Sequence, residues 1–285
     1  MPELPEVETI RQDLRNKIIN KKIVDVLVTS KAKVKPSKYI FIKHVKDNKF
    51  IEIDRIGKLL IFVMPEQRYL LVHLKMTGQF IYKKDNEIIP GGHNDLSTIK
   101  NLPNNSTHIT FEFLGKEKLY FNDMRRFGYM KLVGSDELEK VKSNYGIEPL
   151  QSNFVLKDFK ELFKNRKTSV KALLLNQKII SGIGNIYADE SCFLSGIKPE
   201  RRACELSHEE LKKLYLAIQK IIKKAVKIRG TSFNNYVDAD GNKGSFVKFL
   251  KVYGRGGLKC TRCHGILIKT KTAGRGTVYC AKCQK

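Results

Sequence analysis

Apolar residues recur at helical intervals from the start of the chain: Val7, Ile10, Leu14 and Ile18 lie three or four apart, on one face of a helix. Pro5 suits the first turn of that helix, where its missing N–H costs nothing, and Glu6 and Glu8 complement the positive end of the dipole. The period then shortens. Ile23–Thr29, Phe50–Asp54, Leu59–Val63, Tyr69–Leu74, Gln79–Tyr82, His108–Phe113, Lys118–Asn122 and Tyr129–Val133 are β-branched and aromatic runs, most of them separated by turn residues. No second long helix pattern intrudes before about Ser135. The pattern predicts an antiparallel β-sandwich or barrel behind one helix, with surface loops over strand-free stretches such as Lys83–Thr107.

The second half reads differently. From Ser135 to Gln151 the pattern loosens, and Gly146-Ile147-Glu148-Pro149-Leu150 reads as a hinge. Helical spacing returns in Leu156–Phe163 and Ser169–Gln177. Gly182 and Gly184 precede another helix start at Asn185, where backbone N–H groups can approach a phosphate, although a tight helix–helix turn explains two glycines equally simply. Ser207-His208-Glu209-Glu210 is a capping box, and Leu211, Leu214, Ile218, Ile221 and Ile222 make the inward face of the long helix it opens. After Arg229-Gly230 the chain is Gly- and Asn-rich as far as Gly244, the composition of a linker.

Composition narrows the partners. Of the 285 residues 41% are apolar, yet no run approaches the ~20 needed to span a bilayer, and no signal peptide is visible. Fifty-four Lys and Arg against 29 Asp and Glu leave +25, a field suited to a polyanion. A general lysine bias would spread that excess evenly; instead fifteen basic and two acidic residues fall between Ile221 and Lys285, which points to a binding face. Six cysteines without a secretory signal indicate a reducing, cytoplasmic setting where metal binding outweighs disulfides. Cys260-x2-Cys263 and Cys280-x2-Cys283, sixteen residues apart, are two knuckles that fit one tetrahedral Zn²⁺. Four thiolates leave no position for water, so this zinc is structural. Cys192 and Cys204 lie outside the pattern.

The extreme N-terminus carries the most distinctive chemistry. If Met1 is removed, Pro2 presents a secondary amine beside Glu3 at a helix entrance. An α-amine titrates near ~8 and so has a neutral fraction at cellular pH. Such an amine can attack a carbonyl-like carbon and form an iminium. A proline-capped helix with an inert end is the plain alternative.

Met-Pro-Glu-Leu-Pro-Glu-Val-Glu-Thr resembles the start of bacterial formamidopyrimidine-DNA glycosylases, and the resemblance continues through motifs in the middle and at the end of the chain. It implies that Pro2 is the nucleophile at C1′ of a damaged nucleotide and Glu3 the general acid/base, with Glu6 supporting them. Lys58, in the turn Ile56-Gly57-Lys58, matches a lysine that contacts the phosphate beside the lesion and moves protons. His73-Leu74-Lys75-Met76-Thr77-Gly78 and Asn122-Asp123-Met124-Arg125-Arg126-Phe127-Gly128 match the loops whose Met76, Arg125 and Phe127 wedge into the duplex as the lesion leaves it. Gly182-Ile183-Gly184-Asn185-Ile186-Tyr187-Ala188-Asp189-Glu190 resembles the helix–two-turn–helix of the family. There Asn185 and Lys171 hold phosphates, Lys167 is a further basic DNA contact, and Glu190 is a buried carboxylate near the nucleophile. Arg275 matches the zinc-finger arginine that grips phosphates and aids the second elimination. Asn105-Ser106 stands where relatives carry Lys-His, and Asn234 where many have a basic residue, so one phosphate contact and details of base recognition differ.

The resulting expectation is an α+β multidomain protein: an N-terminal helix plus antiparallel β-sandwich in a catalytic domain (1–134), a hinge (135–151), a helical domain with helix–two-turn–helix (152–230), a lesion-recognition loop (231–250) and a zinc-ribbon hairpin (251–285). It acts as a monomer on double-stranded DNA containing oxidised purines, with one structural zinc and no membrane partner. Two other readings stay open at this point. One is an endonuclease-eight-like enzyme for oxidised pyrimidines, whose relatives begin Pro-Glu-Gly-Pro; the other is a non-enzymatic zinc-ribbon DNA-binding protein.

Overall fold

A computed structural model describes residues 1–85, 87–93, 101–231, 236–237 and 246–285. The chain forms two compact units, Met1–Lys142 with Ile228–Ser245, and Ser143–Lys227 with Phe246–Lys285. No helix among the described residues is long and apolar enough to cross a membrane.

The first unit begins with α1 (Leu4–Ile18). Its apolar face is the expected one: Val7, Ile10, Leu14 and Ile18 are all buried in one core. A capping box fixes its start. The Glu3 N–H donates to Glu6 Oε2 at 2.9 Å, and the Glu3 side chain accepts from the Glu6 backbone in return. Such a cap stabilises a helix by about 1 kcal/mol, and here it also immobilises the two carboxylates next to Pro2.

Behind α1 stand two sheets. One is five-stranded, in the order β2 (Val34–Lys35), β10 (Tyr129–Val133), β5 (Arg68–His73), β4 (Leu59–Met64), β3 (Glu52–Ile56); the β2–β10 pair is its parallel one. The other is six-stranded, in the order β1 (Ile23–Val28), β8 (Thr107–Phe113), β9 (Lys118–Asp123), β6 (Gly78–Lys84), β7 (Glu87–His93), β11 (Tyr236–Val237). Alternation along the strands sends Phe62, Val72 and Met130 from one sheet and Phe80, Phe111 and Phe121 from the other into the shared core, with Phe62 and Phe80 5.6 Å apart between ring centroids. The sandwich is as expected from the strand periodicity.

Two details differ. Lys83–Thr107 is not strand-free: it carries β7, paired antiparallel with β6. Pro90 and two glycines hid it, because proline is tolerated only near a sheet edge. A second helix also precedes Ser135: α2 (Lys38–Val45), capped by the Ser37 hydroxyl accepting from Ile40 N–H at 3.2 Å. It buries only Phe41 and Val45, too little for a helical stripe to stand out among β-branched neighbours. A short helix, α3 (Ser135–Lys142), ends this part of the unit.

The second unit holds α4 (Leu156–Glu161), α5 (Val170–Leu175), α6 (Asn185–Ser195) and α7 (His208–Lys227). The capping box of α7 forms as expected: Ser207 N–H donates to Glu210 Oε2 at 2.8 Å, and Glu210 N–H to Ser207 Oγ at 3.2 Å. Leu211, Leu214, Ile218, Ile221 and Ile222 are its buried face. The stretch read as a hinge is fixed in this unit: Gly146 N–H bonds Gln177 O at 2.9 Å, Ile147 bridges Ile180, and Glu148 is buried. The unit ends in the hairpin β12 (Ile268–Thr272) and β13 (Arg275–Tyr279), turned by Ala273 and Gly274, both with positive φ.

Candidate active site and metal centre

In the first unit, Pro2, Glu3 and Glu6 are buried where the chain enters α1. Four groups act electrostatically on the Met1 terminal amine: Glu3 and Glu6 raise its pKa, and Lys58 and Arg125 lower it. Burial is the largest influence, and the net effect holds the amine below its ordinary value of 8.0. Glu3, Glu6, Lys58 and the wedge residue Arg125, scattered from position 3 to position 125, thus act together on the first residues of the chain, while Arg275 lies in the second unit.

Each is held by a local device. Lys58 is buried at the β3–β4 turn. That turn is tied to α1 through Glu8, which accepts from Arg55 Nε at 3.0 Å while Arg55 Nη1 donates to Gly57 O at 2.9 Å. Arg11 also donates to Glu8, at 2.7 Å. Burial pushes the Glu8 carboxyl up, but Arg11 and Arg55 outweigh it and hold it below the usual carboxylate value. Glu6 uses its other oxygen on Thr231, accepting from the backbone N–H at 2.8 Å and the hydroxyl at 2.9 Å. Gly230 precedes Thr231 because a Cβ there would stand 2.8 Å from Glu6 Oε1, at a φ of +82°. Arg55 and Thr231 had no assigned role in the sequence, and Glu8 only one at the helix dipole; a paired Glu/Arg and a Gly-Thr step carry no signal before the fold joins them.

Met76, Arg125 and Phe127 sit on two loops at one end of the sandwich. The β5–β6 and β9–β10 connections both pass from one sheet to the other there, since β5 pairs with β10 (His73 opposite Tyr129) and β6 with β9 (Gly78 opposite Asp123). Side chains at the tips face solvent: Met76 is 40% exposed and Phe127 47%. Exposed methionine and phenylalanine on adjacent tips are not core residues, and such a patch marks a contact surface. The Arg125 guanidinium lies 4.8 Å from the Phe127 ring centroid, and Lys33 Nζ lies 5.7 Å from it. His73, at the base of the first loop, accepts from Lys75 N–H at 3.0 Å. Burial, with Lys75 and Lys58 nearby, brings its pKa down to about 3, so it stays neutral at working pH.

In the second unit Lys167 is exposed just ahead of α5, and Arg275 is exposed at the hairpin tip. Asn185 begins α6, and its Nδ2 donates to Gly276 O at 2.9 Å. Lys171 corrects an expectation. It has no exposed surface; its Nζ pairs with Asp189 at 2.6 Å and donates to Gly276 O and Thr277 Oγ1, each at 2.8 Å. An ammonium enclosed in this way has no face left for a phosphate, so Lys171 holds the hairpin that presents Arg275. Glu190 is buried as expected, and its carboxylate accepts from the N–H groups of Lys251, Val252 and Tyr253. Burial raises its pKa against those three bonds.

The four Sγ atoms of Cys260, Cys263, Cys280 and Cys283 lie within 4.8 Å of one another. Zn–S bonds of about 2.3 Å in a tetrahedron put sulfurs about 3.8 Å apart, and the Cys260–Cys283 and Cys263–Cys280 separations are 3.9 and 3.4 Å. The donor set fits one zinc, with no fourth position for water. The knuckles are anchored just past the end of α6: Gln284 accepts from Cys280 N–H at 2.8 Å and donates to Ile197 O at 2.8 Å. Cys192 is wholly buried and its thiol pushed up by burial, while Cys204 is exposed; neither joins the cluster.

Three family models match the chain: the formamidopyrimidine-DNA glycosylase N-terminal domain over residues 1–130, the H2TH domain of the same enzymes over 145–236, and a zinc finger found in FPG and IleRS over 257–285. The chain belongs to the formamidopyrimidine-DNA glycosylase family. Proteins of that name from Carboxydothermus hydrogenoformans and Desulfitobacterium hafniense are 41% and 39% identical, with the whole of each chain covered. Among solved structures, the Lactococcus lactis Fpg in complex with DNA containing an abasic site has a TM-score of 0.88 at 32% identity, covering 99% of both chains. The wild-type Lactococcus lactis Fpg with N7-benzyl-Fapy-dG DNA gives the same score and identity over the full length of each.

As in the matched zinc-finger family, the four cysteines make a structural zinc site. Cys263→Ser is expected to drop zinc content from one per chain to near zero by metal analysis and to lower the melting temperature. Asn234 and the glycine-rich stretch after it lie outside the described residues.

Proposed function

We propose that this chain is a bifunctional DNA glycosylase and AP lyase that removes oxidised purines, 8-oxoguanine and formamidopyrimidines, from duplex DNA. The observation that carries the mechanism is the convergence of Glu3, Glu6, Lys58 and Arg125 on the first residues of the chain. With Met1 removed, the Pro2 nitrogen carries a lone pair in the same desolvated surroundings. It attacks C1′, the C1′–N9 bond breaks, and the base leaves with a proton. Glu3 protonates the ring oxygen as the sugar opens, which leaves an iminium between Pro2 and C1′. That cation acidifies the C2′ proton; its removal expels the 3′-phosphate, and a second elimination expels the 5′-phosphate. Water hydrolyses the remaining iminium and regenerates the amine. Nothing in this sequence draws on the zinc, whose place is to hold the hairpin.

Met76, Arg125 and Phe127 fill the space the base vacates; flipping it costs a few kcal/mol, which inserted side chains offset. Arg125 offers several donors to the orphaned cytosine. Lys167, Asn185 and Arg275 contact phosphates, and the +25 charge supplies attraction that weakens with salt. One chain carries every residue named, so the acting form is a monomer, and the bacterial cytoplasm is its compartment.

A nicking assay tests the reading. Protein incubated with an 8-oxoguanine·cytosine duplex is expected to leave a one-nucleotide gap with phosphate at both ends, far faster than it attacks thymine glycol. Faster attack on thymine glycol would assign the chain to oxidised pyrimidines, and salt-dependent binding with no scission would leave a DNA-binding protein.

A further inference from the structure

Asp123 lies between the two exposed loops and touches neither solvent nor the reacting atoms. It is 1% exposed, and every polar atom it has is engaged. Its Oδ1 accepts from the Thr77 hydroxyl, and its Oδ2 from Gly128 N–H at 2.6 Å. Its carbonyl accepts from Arg126 N–H at 3.2 Å and faces His108 Nε2 at 2.9 Å, and its own N–H donates to Ser106 O at 2.8 Å. Thr77 Oγ1 in turn accepts from Arg125 N–H at 3.0 Å. Thr77 follows Met76, Gly128 follows Phe127, and Arg125 is bonded directly. All three exposed side chains are thus within one residue of a group in a single hydrogen-bonded chain that crosses from one loop to the other.

Two adjacent constraints tighten it. Gly78 allows the first loop to close on itself, since a Cβ there would lie 2.4 Å from Leu74 O. Arg126 adopts a positive φ of 55°, which turns the second loop back toward Asp123. A carboxylate accepting from donors on both loops is a stronger tie than a neutral bond. Insertion into a duplex otherwise costs the ordering of each tip separately, and prior ordering removes that cost.

We propose that Asp123, acting through Thr77, is a positioning residue that couples the two loops, so that Met76, Arg125 and Phe127 enter the duplex as one unit. The proposal rests on the wedge role given to those three residues above. Thr77→Val keeps the β-branched shape and removes both the donor to Asp123 and the acceptor for Arg125. Single-turnover excision of 8-oxoguanine paired with cytosine should fall about tenfold, the worth of one charge-assisted hydrogen bond. Excision of the same lesion opposite a tetrahydrofuran gap, where no partner base must be displaced or held, should change less than about threefold. Thr77→Ser should restore the paired substrate, and thermal melting of all variants identifies any simple loss of fold. Equal losses on both substrates, or no loss on either, overturn the coupling. Met76→Ala and Arg125→Ala separate the two layers. If they show the substrate difference and Thr77→Val does not, the coupling alone is wrong; if they do not show it, the wedge reading fails and the coupling with it.

Discussion

Protein acylated at Pro2, or made to retain Met1, incises an 8-oxoguanine duplex at least about a thousandfold more slowly than protein with a free Pro2. An amide nitrogen has its lone pair in the carbonyl and cannot form the C1′ bond, so the loss falls on the chemical step. The neighbourhood of that nitrogen is a buried one, since Pro2, Glu3 and Glu6 are all enclosed where the chain enters α1. Binding should behave differently. Met76, Arg125, Phe127, Lys167 and Arg275 are unaltered, so affinity for lesion duplex measured by fluorescence anisotropy should change less than tenfold. Borohydride trapping reads the covalent step directly: free Pro2 gives a protein–DNA adduct that survives denaturation, and the blocked forms give none. Undiminished trapping by blocked protein would mean that another amine forms the iminium, the Met1 α-amine where Met1 is retained or buried Lys58 where Pro2 is acylated.

The sequence announced the ends of this site better than its framework. The α1 stripe, the alternating runs and the paired Cys-x2-Cys knuckles are local patterns, and each reflects a periodicity or a ligand count that needs no tertiary knowledge. The α2 helix and β7 were missed because their local signals point elsewhere. Two buried residues make no stripe, and Pro90 argues against a strand until its place one short strand from the sheet edge is known. Resemblance supplied the names of residues such as Lys171, but not their surroundings. Whether a lysine reaches a phosphate or is enclosed depends on what lies a hundred residues away, here Gly276 and Thr277. Asp123 shows the same limit. It stood inside a quoted motif without a role, since its partners Thr77 and Gly128 become neighbours only when the two connections cross between sheets at the same end.

The largest stability effect should come from Lys171→Met. Lys171 and Asp189 are both without exposed surface and pair at 2.6 Å, and Asp189 Oδ2 also accepts from Val278 N–H at 3.1 Å. One pair therefore joins α5, α6 and β13 beneath the hairpin that carries Arg275. Removing one charge leaves the other buried without compensation, a loss of about 3–5 kcal/mol. Chemical denaturation of the zinc-loaded protein checks it, and adding Asp189→Asn should recover a substantial part, since partners in contact are non-additive. The pH dependence has a definite sign. Burial raises the Asp189 carboxyl from 3.8 to about 6 against the pull of Lys171. Between those values the folded state binds a proton the unfolded state has lost, so this group's contribution to stability falls as pH rises through the interval and levels off above it. Asp189→Asn removes that slope. A wild-type protein that instead gained stability from this group across the interval would show that the ion pair outweighs desolvation, and the charge-neutral double variant would then be the less stable of the two.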